Sequence, residues 1–307
     1  MDCALTLIVG QESRNSPLEI NADGGIIGLT FSADGKHLLS GGTDGVRVWQ
    51  VEDGKQIATL EAEIVMCLAV SKNGRWIAAG TGDGNVYVWD TQTREQVLSH
   101  KEDSSPVCAV DFSPDSTRLV TGSDNYKATT WDMATRKQVH TLEHEHWVRA
   151  TKYSGQGDRL ATGTQSLVRV WDNDGRLLAT IKVGVRPFYN TGLLWSNNHL
   201  FALSNGQVKQ FEASSTESAV SEWPVPDTNA YSCIALPKHK EFIAYSTNRT
   251  VTLWDMTTRT QCGLIEHTQH IYSIAISPDD QLLAIGGREG HIIIRNLAHI
   301  TVSFVYR

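Results

Sequence analysis

Short apolar runs of four to six residues recur along this chain, separated by clusters of Gly, Asp, Asn and Ser, and no stretch sustains a 3.6-residue apolar period. Runs of this length, rich in Val and Ile and bounded by turn formers, predict strands rather than helices. The runs also repeat. VYVWD at 86–90, VRVWD at 168–172, VTLWD at 251–255 and VRVWQ at 46–50 end alike, and ATTWD at 128–132 keeps the Trp-Asp pair. Two degenerate copies, VKQFE ending at Glu212 and IIIRN ending at Asn296, extend the series. The equivalent positions are Trp49, Trp89, Trp131, Trp171, Phe211, Trp254 and Arg295, spaced 40, 42, 40, 40, 43 and 41 residues apart.

Each period reads as four strands. VCAVDF at 107–112 comes first, then a turn SPDS (cognates SADG, SKNG, SGQG and SPDD), then RLVTG, a Gly/Asp/Asn turn and the strand that ends in Trp-Asp. An outer strand at 97–100 follows a polar turn in the preceding period. A period near 40–45 residues carrying Trp-Asp predicts one blade per period. The expected fold is therefore all-β, a seven-bladed β-propeller of four-stranded antiparallel blades, with residues 1–307 as a single domain. These motifs resemble the WD-repeat (WD40) family over almost the whole chain. The likeness thins between Ile181 and Ala235, where blade five lacks both Trp and Asp and carries EASSTESAVSEW. In style the repeats are also similar to sensor propellers of fungal NACHT-type receptors. Ring closure is open to either terminus: 5–9 or 17–20 at one end, ITVSFVY at 300–306 at the other. The spacing of PLEINADGGIIGLTF matches later repeats and favours the N-terminal end.

The resemblance implies a hydrogen-bonded chain of Trp, Ser/Thr, His and Asp inside each blade. No blade has all four. Blade four has His144, Thr162 and Trp171 with Gln165 or Ser166 in the Asp place; blade two has Asp83 and Trp89 without His; blade seven has His267 with Arg295 in place of Trp. Apolar packing and ring closure are expected to supply most of the stability.

Composition narrows the function. The net charge of −7 excludes a molecule-wide cation built for nucleic acid. Five scattered cysteines without a CxxC pair (Cys3, Cys67, Cys108, Cys233, Cys262) point to a reducing compartment and away from a disulfide framework or zinc site. An N-terminal apolar run of six residues is too short for a membrane span. The expectation is a cytoplasmic protein, the nucleus being the alternative, without membrane, nucleic-acid or cofactor binding, and either a monomeric propeller or part of a larger protein or complex.

Chemistry is sparse. HTLEHEH at 140–146 offers three His and two Glu, but a strand, a blade-internal position and a rim position should point His140, His144 and His146 in different directions. Gly80–Gly84 precedes a strand and lacks the Lys-Ser/Thr tail of a phosphate loop. No GxSxG or HExxH occurs, so no enzyme is expected. Loops entering the first strand of each blade, and turns between second and third strands, share one face. There the entering loops carry nine acids (Asp23, Glu61, Glu63, Glu102, Asp103, Glu143, Glu145, Asp227, Glu266) against Lys101, Lys182 and Arg186. Aromatics at Trp147, Tyr189, Tyr231 and Tyr272, beside His146, Arg149 and His270, would supply anchors. The expected activity is a non-catalytic scaffold that binds a protein or peptide, of basic character, on this acidic rim through Glu63, Glu102, Asp103, Glu143, Glu145 and these neighbours. The alternative is a sensor or lectin-like propeller with a small ligand at the channel mouth.

Overall fold

A strand edge is a row of unpaired N–H and C=O groups, and one way to manage it is to repeat short sheets radially about a channel so that only short, protected edges remain. The computed structural model describes residues 16–183, 192–196, 199–204, 207–212, 221–224, 233–239 and 241–299, and it shows that solution. Seven four-stranded antiparallel sheets form a ring. Blade one runs outward through Ile26–Phe31, His37–Gly42, Gly45–Gln50 and Gln56–Leu60. Blades two to six repeat this order, with inner strands at Val65–Val70, Val107–Phe112, Ala150–Tyr153, Leu193–Ser196 and Ile234–Ala235. Each inner strand touches the next, and Ile271–Ile276 of blade seven touches blade one.

Closure comes from the N-terminal side. Leu18–Asn21 is the outer strand of blade seven, paired antiparallel with His291–Asn296 (Ile20 opposite Ile292, Leu18 opposite Ile294). Ile20, Ile292 and Ile294 are buried together at this seam. The other candidate closures, 5–9 and 300–306, lie outside the described residues.

The repeat read from sequence is an exact register in space. The seven Trp-equivalent positions each face a Leu or Ile of the second strand: Leu38–Trp49, Ile77–Trp89, Leu119–Trp131, Leu160–Trp171, Leu200–Phe211, Ile243–Trp254 and Leu283–Arg295. In the five blades that keep Trp, the pairing with the outer strand shifts by one residue at the Trp. A bulge re-aims a side chain, and here it accompanies a bulky indole set between neighbouring blades. In blade five the paired positions of the third and outer strands show no such shift. Part of the stretch read there as an insertion is regular structure: Ser221–Pro224 is that blade's outer strand, and buried Trp223 meets Phe201 edge-on at 6.2 Å.

On the face opposite the candidate rim, turns between first and second strands share one device. Ser32, Ser71, Ser113 and Ser277 each donate a hydroxyl to Asp34, Asn73, Asp115 and Asp279, and accept the N–H that starts the second strand. Asp34, Asp115 and Asp279 are in this way engaged by turn geometry.

Candidate recognition face

Inside the blades, the partial hydrogen-bond chains find substitutes for missing members. In blade four the Leu142 carbonyl can only accept, so His144 Nδ1 carries the proton and donates to it at 2.9 Å. His144 Nε2 then accepts the Thr162 hydroxyl at 2.8 Å, and Thr162 Oγ1 accepts the Trp171 indole N–H at 2.8 Å. The backbone carbonyl takes the place of the absent Asp. Burial lowers the His144 pKa to about 4, in keeping with a neutral ring. In blade three Trp131 donates to Thr121 at 3.3 Å, and Thr121 donates to Glu102 Oε1 at 2.6 Å. Glu102, expected as a rim acid, instead stands in for the His of that chain. Its carboxyl pKa is raised, chiefly by burial, against the lowering effect of the Thr121 bond.

The other expected site residues separate into two groups. Glu143 pairs with Lys127 at 3.6 Å, Glu145 takes both oxygens to Arg169 at 2.6 and 2.7 Å, and Asp23 lies 3.7 Å from Arg47. The cations come from third strands, which a tally of loops alone leaves out, so the rim is less acidic than nine against three. Glu61, Glu63, Asp103 and Glu266 are exposed and make no ion pair among the described residues, and three of these four acids lie in the loops that enter blades two and three. Asp103 also caps the Ser105 N–H at 2.5 Å. His146 and His270 are exposed and Tyr272 is half-buried. Tyr189, Tyr231, Asp227 and Arg186 lie outside the described residues. Of the HTLEHEH histidines, His140 lies in an outer strand facing Gly175, His144 points to Thr162 and His146 is exposed.

Trp147 and Arg149 are brought together. Arg149 is 8% exposed and grips Asp124 through Nε at 2.9 Å and through a terminal nitrogen at 2.8 Å. Asp124 sits in the turn between second and third strands of blade three, so this fork bridges blades three and four. The guanidinium lies 4.4 Å from the ring centroid of Trp147, which remains 42% exposed. One ring face is thus seated on a fixed cation. Arg149 is buried and supports the Trp147 ring from beneath rather than lying on the surface. Cys108 lies beneath, 3.7 Å from Asp124, with its thiol pushed up to about 12 by burial and by that carboxylate.

Sequence reading missed Tyr126. It is 47% exposed and sits two residues from Asp124 in the same turn, its carbonyl accepting the His144 N–H at 2.9 Å. Its φ is +70°, where the register-equivalent residues of blades two and seven are Gly84 and Gly290. Aligning the turns would have shown a Tyr where glycine recurs.

Among the described residues, the channel holds a cavity of about 160 Å³ bordered by Thr30, Leu68, Thr151, Leu194 and the Asp111–Lys152 ion pair (2.6 Å). Drug-sized ligands need roughly 300–1,000 Å³. Among the described residues, no three His, Cys, Asp or Glu side chains converge as metal ligands, and no helix is long and apolar enough to cross a membrane.

Comparison with known proteins agrees with this geometry. The family model described as "IFT122 first beta-propeller" matches residues 25–296. Periodic tryptophan protein 2 of Arabidopsis thaliana is 31% identical over 167 residues, covering 51% of this chain and 18% of that protein. Cell division cycle 20.1, cofactor of APC complex, from the same plant is 25% identical over 218 residues (69% of this chain, 40% of that protein). Protein groucho of Drosophila melanogaster is 24% identical over 173 residues (53% and 24%). The chain therefore spans less than half the length of each of these relatives. Nothing in these matches supports the likeness to fungal NACHT-type sensors. Seven blades in register, a Trp-Asp repeat and a family model spanning nearly all of the ring together show that the chain belongs to the WD-repeat β-propeller family, matching the first β-propeller of IFT122.

Proposed function

We propose that this propeller is a non-catalytic recognition platform that binds a protein or peptide on the face carrying Trp147, in the cytoplasm or nucleus. The observation that carries this reading is the Trp147 anchor: a large aromatic held half-exposed by a buried Arg149, itself locked to Asp124. Aromatic side chains pre-positioned in this way dominate binding energies at interfaces, because little entropy is lost on docking. Exposed Glu61, Glu63 and Asp103 favour a basic partner. Relatives include one named as a cofactor of a complex, which suits a scaffold. The small channel cavity, whose lysine is already neutralised by Asp111, makes a small-ligand sensor the weaker reading.

Affinity capture from source extract tests it, with wild type beside Trp147→Ala and a Glu61→Lys/Glu63→Lys variant. A partner retained by wild type and lost by both variants is expected. A partner retained equally by all three, and lost on changing Arg136 and Lys137 of the opposite face, would overturn the assignment.

A further inference from the structure

We infer that the partner lies as an extended basic–apolar segment along a three-point apolar line, Ile64, Tyr126 and Trp147, on blades two, three and four. This rests on the recognition reading above and specifies its ligand.

Three observations carry it. First, exposed large apolar side chains among the described residues fall into two sets. Ile57, Val139, Leu177, Leu178 and Leu264 belong to outer strands, whereas Ile64, Tyr126 and Trp147 are the three on the recognition face, 48%, 47% and 42% exposed. Second, two of these three are held in the left-handed backbone region, Ile64 at φ +41° and Tyr126 at φ +70°. For a β-branched or aromatic residue this is an outlier, and such strain tends to persist at sites of function. Folding alone would favour glycine at position 126, as at Gly84 and Gly290. Ile64 and Trp147 also hold the same place in the repeat, three residues before the inner-strand residue that pairs with a second-strand glycine (Cys67 with Gly80, Ala150 with Gly163), where blades one and three have Gly25 and Pro106. Third, the surroundings are anionic at one end: Glu61 and Glu63 immediately precede Ile64, and Asp103 lies beside the Tyr126 turn through Asn125 and Lys127. At the other end Glu143 and Glu145 are already neutralised by Lys127 and Arg169. Apolar groups of the segment rest on the three side chains, and its Lys or Arg residues point to the acids on blades two and three.

A random-peptide display library selected on the full chain tests this. Selected peptides should pair Lys or Arg with neighbouring aliphatic or aromatic residues. Tyr126→Gly and Ile64→Asn, which keep the left-handed backbone while removing the apolar surface, should each weaken a selected peptide on the order of tenfold. Their thermal midpoints should equal or exceed that of wild type. Peptides lost by Trp147→Ala but indifferent to Tyr126→Gly and Ile64→Asn would overturn the three-point line and leave the recognition face standing. Peptides indifferent to Trp147→Ala as well would sink both. A selection that enriches nothing, or a Tyr126→Gly variant with a lowered midpoint, would also overturn the inference, the latter because Tyr126 would then serve the fold.

Discussion

His144 shows how much one buried ring can govern. Its folded pKa of about 4 lies below the usual value of 6.5, so between these the unfolded chain binds a proton that the folded chain refuses. The stabilisation is complete above pH 6.5 and is lost as pH falls toward 4, by at most about 3 kcal/mol from this group. Urea unfolding at pH 7 and pH 5 should show that loss, and His144→Gln should flatten it. Thr162→Val removes the hydroxyl that serves both His144 and Trp171, leaving two buried polar groups unpaired at a cost of about 2–4 kcal/mol. Glu102 has the opposite sign. A raised carboxylate pKa means that the folded chain holds its proton more tightly, so stability falls as pH rises through the titration. Glu102→Gln should therefore raise the thermal midpoint at pH 7 relative to pH 4, measured by calorimetry at the two pH values. A midpoint unaffected at both would show that the carboxylate is not buried against Thr121.

Among elements, the strand Leu18–Asn21 closes the ring. It covers the outer edge of His291–Asn296 and inserts Ile20 beside Ile292 and Ile294. Ile20→Ala leaves a cavity in this seam and should cost about 2–4 kcal/mol in urea unfolding. Removing residues 1–21 uncovers the strand edge as well, so aggregation should accompany the loss of stability. A truncated chain that unfolds with the midpoint and solubility of the parent would show that this strand does not close the ring. Degenerate blades persist because packing can replace the polar chain: Phe211 is buried against Leu200 without any indole, and Leu283 is fully buried opposite Arg295.

For the whole molecule, charge and anchor should separate kinetically. Exposed acids act over roughly 8 Å at physiological salt and chiefly set the encounter rate. Reversing Glu61 and Glu63 should slow association and flatten its salt dependence, whereas Trp147→Ala should mainly speed dissociation. Surface plasmon resonance with a captured partner at two salt concentrations reads both. Equal effects of the two variants on dissociation alone would show that the rim does no steering.

From the sequence alone, the number of blades, their strand order and the register of the Trp-equivalent positions could be read, because each depends on local periodicity and turn residues that recur at a fixed spacing. Even Phe211 and Arg295, which lack the indole, fall into the series by spacing, and the structure sets both opposite a second-strand leucine, as in blades one, three and four. Exposure and partnership were not legible in this way. Glu102, Glu143 and Glu145 look alike along the chain, yet one is tucked against Thr121 and two are met by Lys127 and Arg169 from third strands 16–24 residues away. Arg149 looked like a surface contact and proved to be the cation beneath Trp147, because its carboxylate partner belongs to the preceding blade. Periodicity reports which residues occupy equivalent places. Only the stacking of one blade on the next decides which of them meet, and so which charges and rings remain for a partner.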